Sequence, residues 1–201
     1  MTWVIIRVKR VHRTVTMKVS REQAAENRQQ IVEAASRLFR EAGLEGVGVA
    51  EITRAAGLTH GGFYRQFESK EALFAEAVEL ALHDSAAELA RTVARPGALQ
   101  RFAKQYLSAR HVAASGGCPI ATLAADVSRQ SPEVQAAFAR GLTALLSAGR
   151  DAAPGSKEWR ASTAGLATMI GTLLMARAVH RADPELATRI VEAGRSTLGR
   201  E

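Results

Sequence analysis

From Ser20 onward the chain carries one hydrophobic period, and that period is helical. Ile31, Ala35, Leu38 and Phe39 recur at i, i+4, i+7 and i+8, a single stripe that Ala34 and Ala42 widen. The spacing returns at Leu73, Phe74, Ala77, Val78 and Leu82, on a helix running towards Val93. No alternating strand pattern competes after residue 17, and no internal repeat is present. A chain built this way packs helix on helix, so the expected fold is all-α, with about nine helices.

The breaks set the element order. "EAGLEG" ends the first helix, with Gly43 suited to the left-handed terminal position. A short helix follows from about Val49 to Ala56, with Ile52 and Ala55/Ala56 inward and Gly57 closing it. Leu58 plugs the turn, and the Thr59 hydroxyl caps a third helix that ends near Phe67. Ser69 caps the fourth, with Glu71 near its positive end. Further on, Pro96-Gly97 and "ASGGCPI" (114–120) are breaks. Phe102, Tyr106 and Leu107 share the helix between them, and Ile120–Arg129 is a short helix. Ser131 caps the next, with Pro132 in its favoured first position. After "APGS" (153–156), helices over about 157–181 and 184–198 are divided at Asp183-Pro184.

The chain has 201 residues and one cysteine, Cys118, so an intramolecular disulfide is excluded. This fits a reducing compartment, and the expected location is cytoplasmic. No segment approaches the run of about 18 apolar residues that marks a membrane span. "TAGLATMIGTLLMA" is read instead as a buried helix, and no membrane partner is expected. The net charge is +7, but its distribution matters more. Residues 1–16 hold Arg7, Lys9, Arg10 and Arg13 without an acid, whereas residues 20–72 total −1. Charge alone is therefore weak support for nucleic-acid binding. Residues 1–19 are expected to be a basic, disordered extension, with Met17 an alternative start. The competing reading is a basic arm on DNA phosphates.

Two adjacent glycines raise the functional question. Gly61 and Gly62 sit beside Phe63, Tyr64 and Phe67, although glycine costs a helix about 1 kcal/mol against alanine. Phe63 and Phe67 are four apart and anchor one face in the core. The glycines fall near the helix start, where a missing side chain lets a phosphate or base edge approach. The outer face then presents His60, Tyr64, Arg65 and Gln66. Three short helices with tight Gly turns and a polar third helix describe a helix-turn-helix. The alternative is that the glycines only permit close packing against the preceding helix.

The stretch "RQQIVEAASRLFREAGLEGVGVAEITRAAGLTHGGFYRQFESKEALFAEAV" resembles the N-terminal domain of TetR/AcrR-type transcriptional regulators. The resemblance implies a homodimeric, all-helical repressor bound to double-stranded DNA at a near-palindromic operator. It divides the chain into a DNA-binding domain over 20–72 and an effector-binding and dimerisation domain over 73–201. By position it implies phosphate contacts from Thr59, Tyr64 and Lys70. It implies base contacts from His60, Gly61 and Arg65, and either kind from Gln66. Gly48 and Val49 depart from the family, which often places a phosphate-touching Ser/Thr cap there.

Beyond about residue 75 the resemblance is one of layout. The last two helices carry Ala161, Ala164, Gly165, Ala167, Gly171 and Ala176 among larger apolar residues, and the family pairs such helices as a dimer interface. The expected interface is about 158–198. Candidate effector-lining residues are Phe102, Tyr106, His111, Phe138, Trp159, Met169 and Met175. Their apolar balance points to a small hydrophobic effector, and ordinary core is the alternative for each. Cys118 lies between a glycine pair and a proline at a helix start, which lowers a thiol pKa, so redox or electrophile sensing is a second reading.

An enzyme is not expected. His12, His60, His83, His111 and His180 are scattered without metal-ligand spacing, and no cofactor or metal is implied. Cys118 and His111 alone supply no orienting group or oxyanion site.

Overall fold

The computed structural model describes residues 21–93, 98–148, 153 and 155–199. The basic extension over 1–19, the Pro96-Gly97 break and Pro154 lie outside the described residues. Ten helices follow in chain order among them: α1 (Arg21–Ala42), α2 (Val49–Ala55), α3 (His60–Phe63), α4 (Lys70–Val93), α5 (Ala98–Tyr106), α6 (Ala109–Ala113), α7 (Pro119–Val127), α8 (Pro132–Ser147), α9 (Lys157–Val179) and α10 (Pro184–Leu198). The described residues contain no strand.

The tenth helix comes from a break that the apolar spacing hides. Ser108 leaves helical backbone, and its hydroxyl accepts the His111 N–H at 3.3 Å to open α6. Gly43 and Gly57 take φ of +75° and +70°, closing α1 and α2 as expected. The Ser69 hydroxyl accepts the Ala72 N–H at 3.0 Å. Thr59 and Ser131 stand at cap positions, but neither hydroxyl accepts a helix N–H. The Gly62 N–H already bonds the Thr59 carbonyl at 2.9 Å, so the donor a Thr59 hydroxyl would take is occupied. The Ser131 hydroxyl lies by the Glu133 carboxylate and holds that carboxyl's pKa down.

Two apolar cores organise the described residues. The first joins Ile31, Ala35 and Phe39 of α1 to Ile52, Phe63, Phe74 and Leu82, and continues into Leu123 of α7 and Leu145 of α8. Phe39 and Phe74 meet edge to face at 5.1 Å. The expected domain boundary at 72/73 falls in the first turn of α4, whose apolar face continues this core from the N-terminal helices to α8. Gly141 lets α8 lie directly on Leu82: an added Cβ would stand 2.6 Å from the Leu82 Cβ. Arg140 of α8 grips Glu79 of α4 with two hydrogen bonds, at 2.9 and 2.6 Å. The second core holds Tyr106, Leu107, Val112, Met169, Leu173 and Val191. Leu166 packs against both.

The helix over Lys157–Val179 corrects one expectation. By length and composition α9 is apolar enough to cross a membrane, and only 22% of that stretch is buried within the chain. Only one side is buried, through Met169, Thr172, Leu173 and Ala176. That side meets α10 closely, because a Cβ at Gly194 would stand 2.3 Å from the Thr172 Oγ1. The outer side shows Ala161, Ala164, Ala167, Leu174, Met175 and Ala178. Apolar residues thus lie on two sides of α9, one packed within the chain and one exposed.

Candidate nucleic-acid interface

The sequence places a polar surface on α3, and the structure shows what holds it. Phe63 is completely buried and Phe67 nearly so, their rings stacked at 5.6 Å. The helix itself is one turn, followed by turn backbone to Gln66 rather than helix to Phe67. A segment this short is not stable from its own hydrogen bonds. Its orientation comes from the two phenylalanines in the core.

Thr59, His60, Gly61, Tyr64 and Arg65 are all exposed, and Gln66 and Lys70 are half-buried. Tyr64 keeps 62% of its surface exposed, a large value for an aromatic, and its ring meets His60 at 5.4 Å and Phe63 at 5.1 Å. A Cβ added at Gly61 would meet nothing within 4 Å, and one at Gly62 would make only an ordinary 3.8 Å contact with the Thr59 Oγ1. Packing within the chain therefore requires neither glycine. Lys70 opens α4 beside this surface. Neither Arg65 nor Lys70 forms an ion pair among the described residues. The seven residues thus occupy one continuous segment with its polar groups turned to solvent.

One residue that sequence reasoning missed locks this segment from behind. Arg28 of α1 lies 4.1 Å over the Phe67 ring, donates to the Gln66 carbonyl at 3.2 Å, and pairs with Glu76 of α4. It joins α1, the end of the α3 turn and α4 in one contact. The signal was faint: an arginine on the polar side of an amphipathic helix reads as solvated until the long-range partners are known. Gly48 starts α2 without a side-chain cap, as its lack of a hydroxyl demands.

The expected effector residues do not all come together. Phe102, Tyr106, His111 and Met169 come together around the second core, with Cys118 packed against it. Phe138 packs instead on the first core, on α8. Trp159 is half-buried in the first turn of α9, and Met175 is 56% exposed on its outer side. The position of each depends on which helix face the core takes, and composition does not specify that.

Around Tyr106 the geometry is specific. His111 holds Nδ1 2.7 Å from the Tyr106 carbonyl, and its ring meets the phenol edge to face at 4.7 Å. Burial pushes the His111 pKa down, with the nearby Arg177 guanidinium adding to the effect. The Tyr106 hydroxyl is buried without a hydrogen-bond partner of ordinary geometry and faces the Cys118 thiol. Burial raises its pKa far above the ordinary phenol value. Cys118 is half-buried at the N-cap of α7. Arg177 of α9 donates to the carbonyls of His111 (2.9 Å) and Gly116 (2.8 Å), fixing the turn that leads into α7. Gly117 lies in that turn at φ +112°, and a Cβ there would stand 2.5 Å from the His111 Nε2. A separate open groove of about 320 Å³ lies between α6 and α10, lined by Ala109, Val112, Pro184, Ala187 and Val191. None of the seven candidate effector residues lines it. No group of three or more metal-ligating side chains occurs among the described residues.

Comparison with known proteins gives this surface a context. Residues 31–77 match the sequence model of the bacterial regulatory proteins of the tetR family. The HTH-type transcriptional regulator AcrR of Shigella flexneri is 41% identical over 61 residues, which cover 30% of this chain and 28% of that protein. The HTH-type transcriptional regulator TtgR of Pseudomonas putida is 39% identical over 72 residues, 36% of this chain and 34% of that protein. The chain thus spans about a third of the length of the curated relatives it matches. Among solved structures, the reduced form of Escherichia coli NemR aligns with a TM-score of 0.65 at 21% identity, over 85% of this chain and 96% of that one. A TetR transcriptional regulator from Chloroflexus aurantiacus aligns with a TM-score of 0.64 at 24% identity, over 90% and 98%. At these identities the likeness is one of fold.

Proposed function

We propose, on the premise that residues 31–77 make this chain a member of the TetR family of bacterial regulatory proteins, that it is a ligand-responsive, DNA-binding transcriptional repressor. The observation that carries the reading is the α3 surface: a one-turn helix pinned by Phe63 and Phe67, with Tyr64 and Arg65 held out in water. A fold that spends two buried aromatics on orienting an exposed polar turn is presenting that turn to a partner. Double-stranded DNA fits the side chains. Thr59, Tyr64 and Lys70 suit phosphate oxygens; His60, Gly61 and Arg65 suit base edges, with Gln66 able to serve either.

Lys70 supplies the test. Replacing it with alanine is expected to weaken operator and random duplex alike and to flatten the salt dependence of binding by about one unit per contact. Affinities measured across a salt series check this. An unchanged slope takes Lys70 out of the phosphate contacts, and no duplex binding by the wild-type chain sinks the DNA reading as a whole.

The protein acts as a homodimer through about 158–198 in this reading. The support is the exposed apolar face of α9, together with the exposed Leu186 and Ala193 of α10. Such a face suits close approach of a second copy, and a two-fold dimer reads a near-palindromic site. The effector is a small hydrophobic molecule taken up beside the Phe102–Tyr106–Met169 cluster. A ligand that prefers the released conformation tenfold shifts the equilibrium by about 1.4 kcal/mol.

One observation favours a second reading, in which modification of Cys118 is the signal. The Tyr106 hydroxyl is buried, lacks an ordinary partner and faces the thiol. Burying such a donor unsatisfied costs about 1–3 kcal/mol, so a polar group added at sulfur would relieve it. Treatment with oxidised glutathione is then expected to abolish duplex binding, reductant to restore it, and Cys118→Ser to be indifferent. Wild-type binding that ignores oxidation leaves the hydrophobic effector as the reading.

A further inference from the structure

The C-terminal end of α1 is closed by a residue from the other half of the chain. The Leu44 N–H donates to the Asp126 Oδ2 of α7 at 3.0 Å. In a glycine-terminated helix such an N–H normally returns to a carbonyl of its own last turn. Here the Gly43 N–H takes the Phe39 carbonyl, and the Leu44 N–H crosses to α7 instead. The fit is close: an added Cβ at Gly43 would stand 3.1 Å from the same carboxylate oxygen.

A carboxylate is an unfavourable group for that place. The end of a helix carries partial negative charge, which repels an anion and attracts a cation. Asp126 offsets this with Arg129, which pairs with its other oxygen at 2.8 Å from the solvent side. Helix stability alone would select a lysine or arginine here, so the acid is explained by its bond across to the α1–α2 turn.

The start of α7 is tied to the same helix end. Arg40 of α1 donates to the Gly117 carbonyl at 3.4 Å, and Gly116 stands against the Glu41 side chain. Between these ties Leu123 and Val127 of α7 pack into the core that holds Phe39 and Leu44. A helix fixed at both ends and along its length sets the direction of what it touches. The next elements along the chain from Leu44 are α2 and α3, which carry the proposed DNA surface.

From this geometry we propose that Asp126 is a positioning residue. It holds the α1–α2 turn in the register that α3 needs to read DNA, and it makes the orientation of that surface depend on α7. The inference rests on the DNA-binding reading for its consequence but not for its structural part.

The test uses the full chain in four forms: wild type, Asp126→Ala, Asp126→Asn and Arg129→Ala. Amide exchange at Leu44 is measured beside binding to a duplex selected from a random pool by the wild type, and to a scrambled duplex. Asp126→Ala is expected to speed Leu44 exchange about tenfold or more. It should lower the preference for the selected duplex several-fold, with scrambled-duplex affinity and salt slope unchanged. Asp126→Asn keeps an acceptor oxygen and should restore both readouts; Arg129→Ala leaves the bond in place and should change exchange little. Unchanged Leu44 exchange in Asp126→Ala overturns the tie. Faster exchange with an unchanged duplex preference overturns the positioning role. If the wild type selects no duplex, the DNA reading has failed and the positioning role falls with it, while the exchange data still decide the tie.

Discussion

Phe63→Ala is expected to remove about 3–5 kcal/mol of stability, the range for deleting a fully buried phenylalanine. The side chain is wholly enclosed, stacked on Phe67 and edge to face with Tyr64. What makes the loss large in function is the shortness of α3. A four-residue helix has no reserve of its own once its anchor is gone. Chemical denaturation checks the magnitude. Circular dichroism and duplex binding on the still-folded fraction check the consequence, which is loss of binding out of proportion to loss of helix. A Phe63→Leu variant, keeping most of the volume, should retain more of both. Full duplex binding by Phe63→Ala would show that the exposed turn is oriented by something other than this core.

Arg65→Ala is the second large effect, and on the DNA-binding reading it is expected to act on recognition rather than folding. Arg65 is exposed and forms no ion pair in the described residues, so its removal leaves no buried partner unsatisfied. A bidentate arginine–guanine contact discriminates by about 1–3 kcal/mol per site. In a symmetric dimer the contact occurs twice, so about 2–6 kcal/mol of operator preference is at stake, roughly thirtyfold to twenty-thousandfold. Thermal stability should be unchanged. Competition between operator and random duplex measures the preference directly. Equal loss on both duplexes would assign Arg65 to phosphate instead of bases.

The helical spacing and its Gly and Pro breaks carried most of the fold. Gly43 and Gly57 marked helix ends because left-handed backbone admits few other residues, and both take positive φ. Phe63 and Phe67 were legible as anchors because an i, i+4 pair shares a face whatever the tertiary context. The misses were of another kind. The Thr59 cap failed because a backbone carbonyl had already taken the donor in question, and nothing in the structure explains why the Ser131 hydroxyl makes no cap bond. Arg28 and Asp126 were invisible because their partners lie 38 and 82 residues away, and a charged residue on a helix face looks the same solvated or engaged. The α9 face misled in the opposite direction: its composition reads as interior, yet much of it lies outside this chain's own packing.

Gly61 poses a question of selection. Nothing in the fold reserves that position for glycine, since a methyl group there would point into open space. Alanine would strengthen the turn by removing glycine's helix penalty of about 1 kcal/mol. A chain drifting under pressure for stability alone would lose this glycine early. On the DNA-binding reading, a bound partner that needs the space accounts for its presence, and the fold does not. Across substitutions at position 61, fitness should track the tolerance of the bound partner, while the melting temperature of the free protein moves independently, and for alanine in the opposite direction.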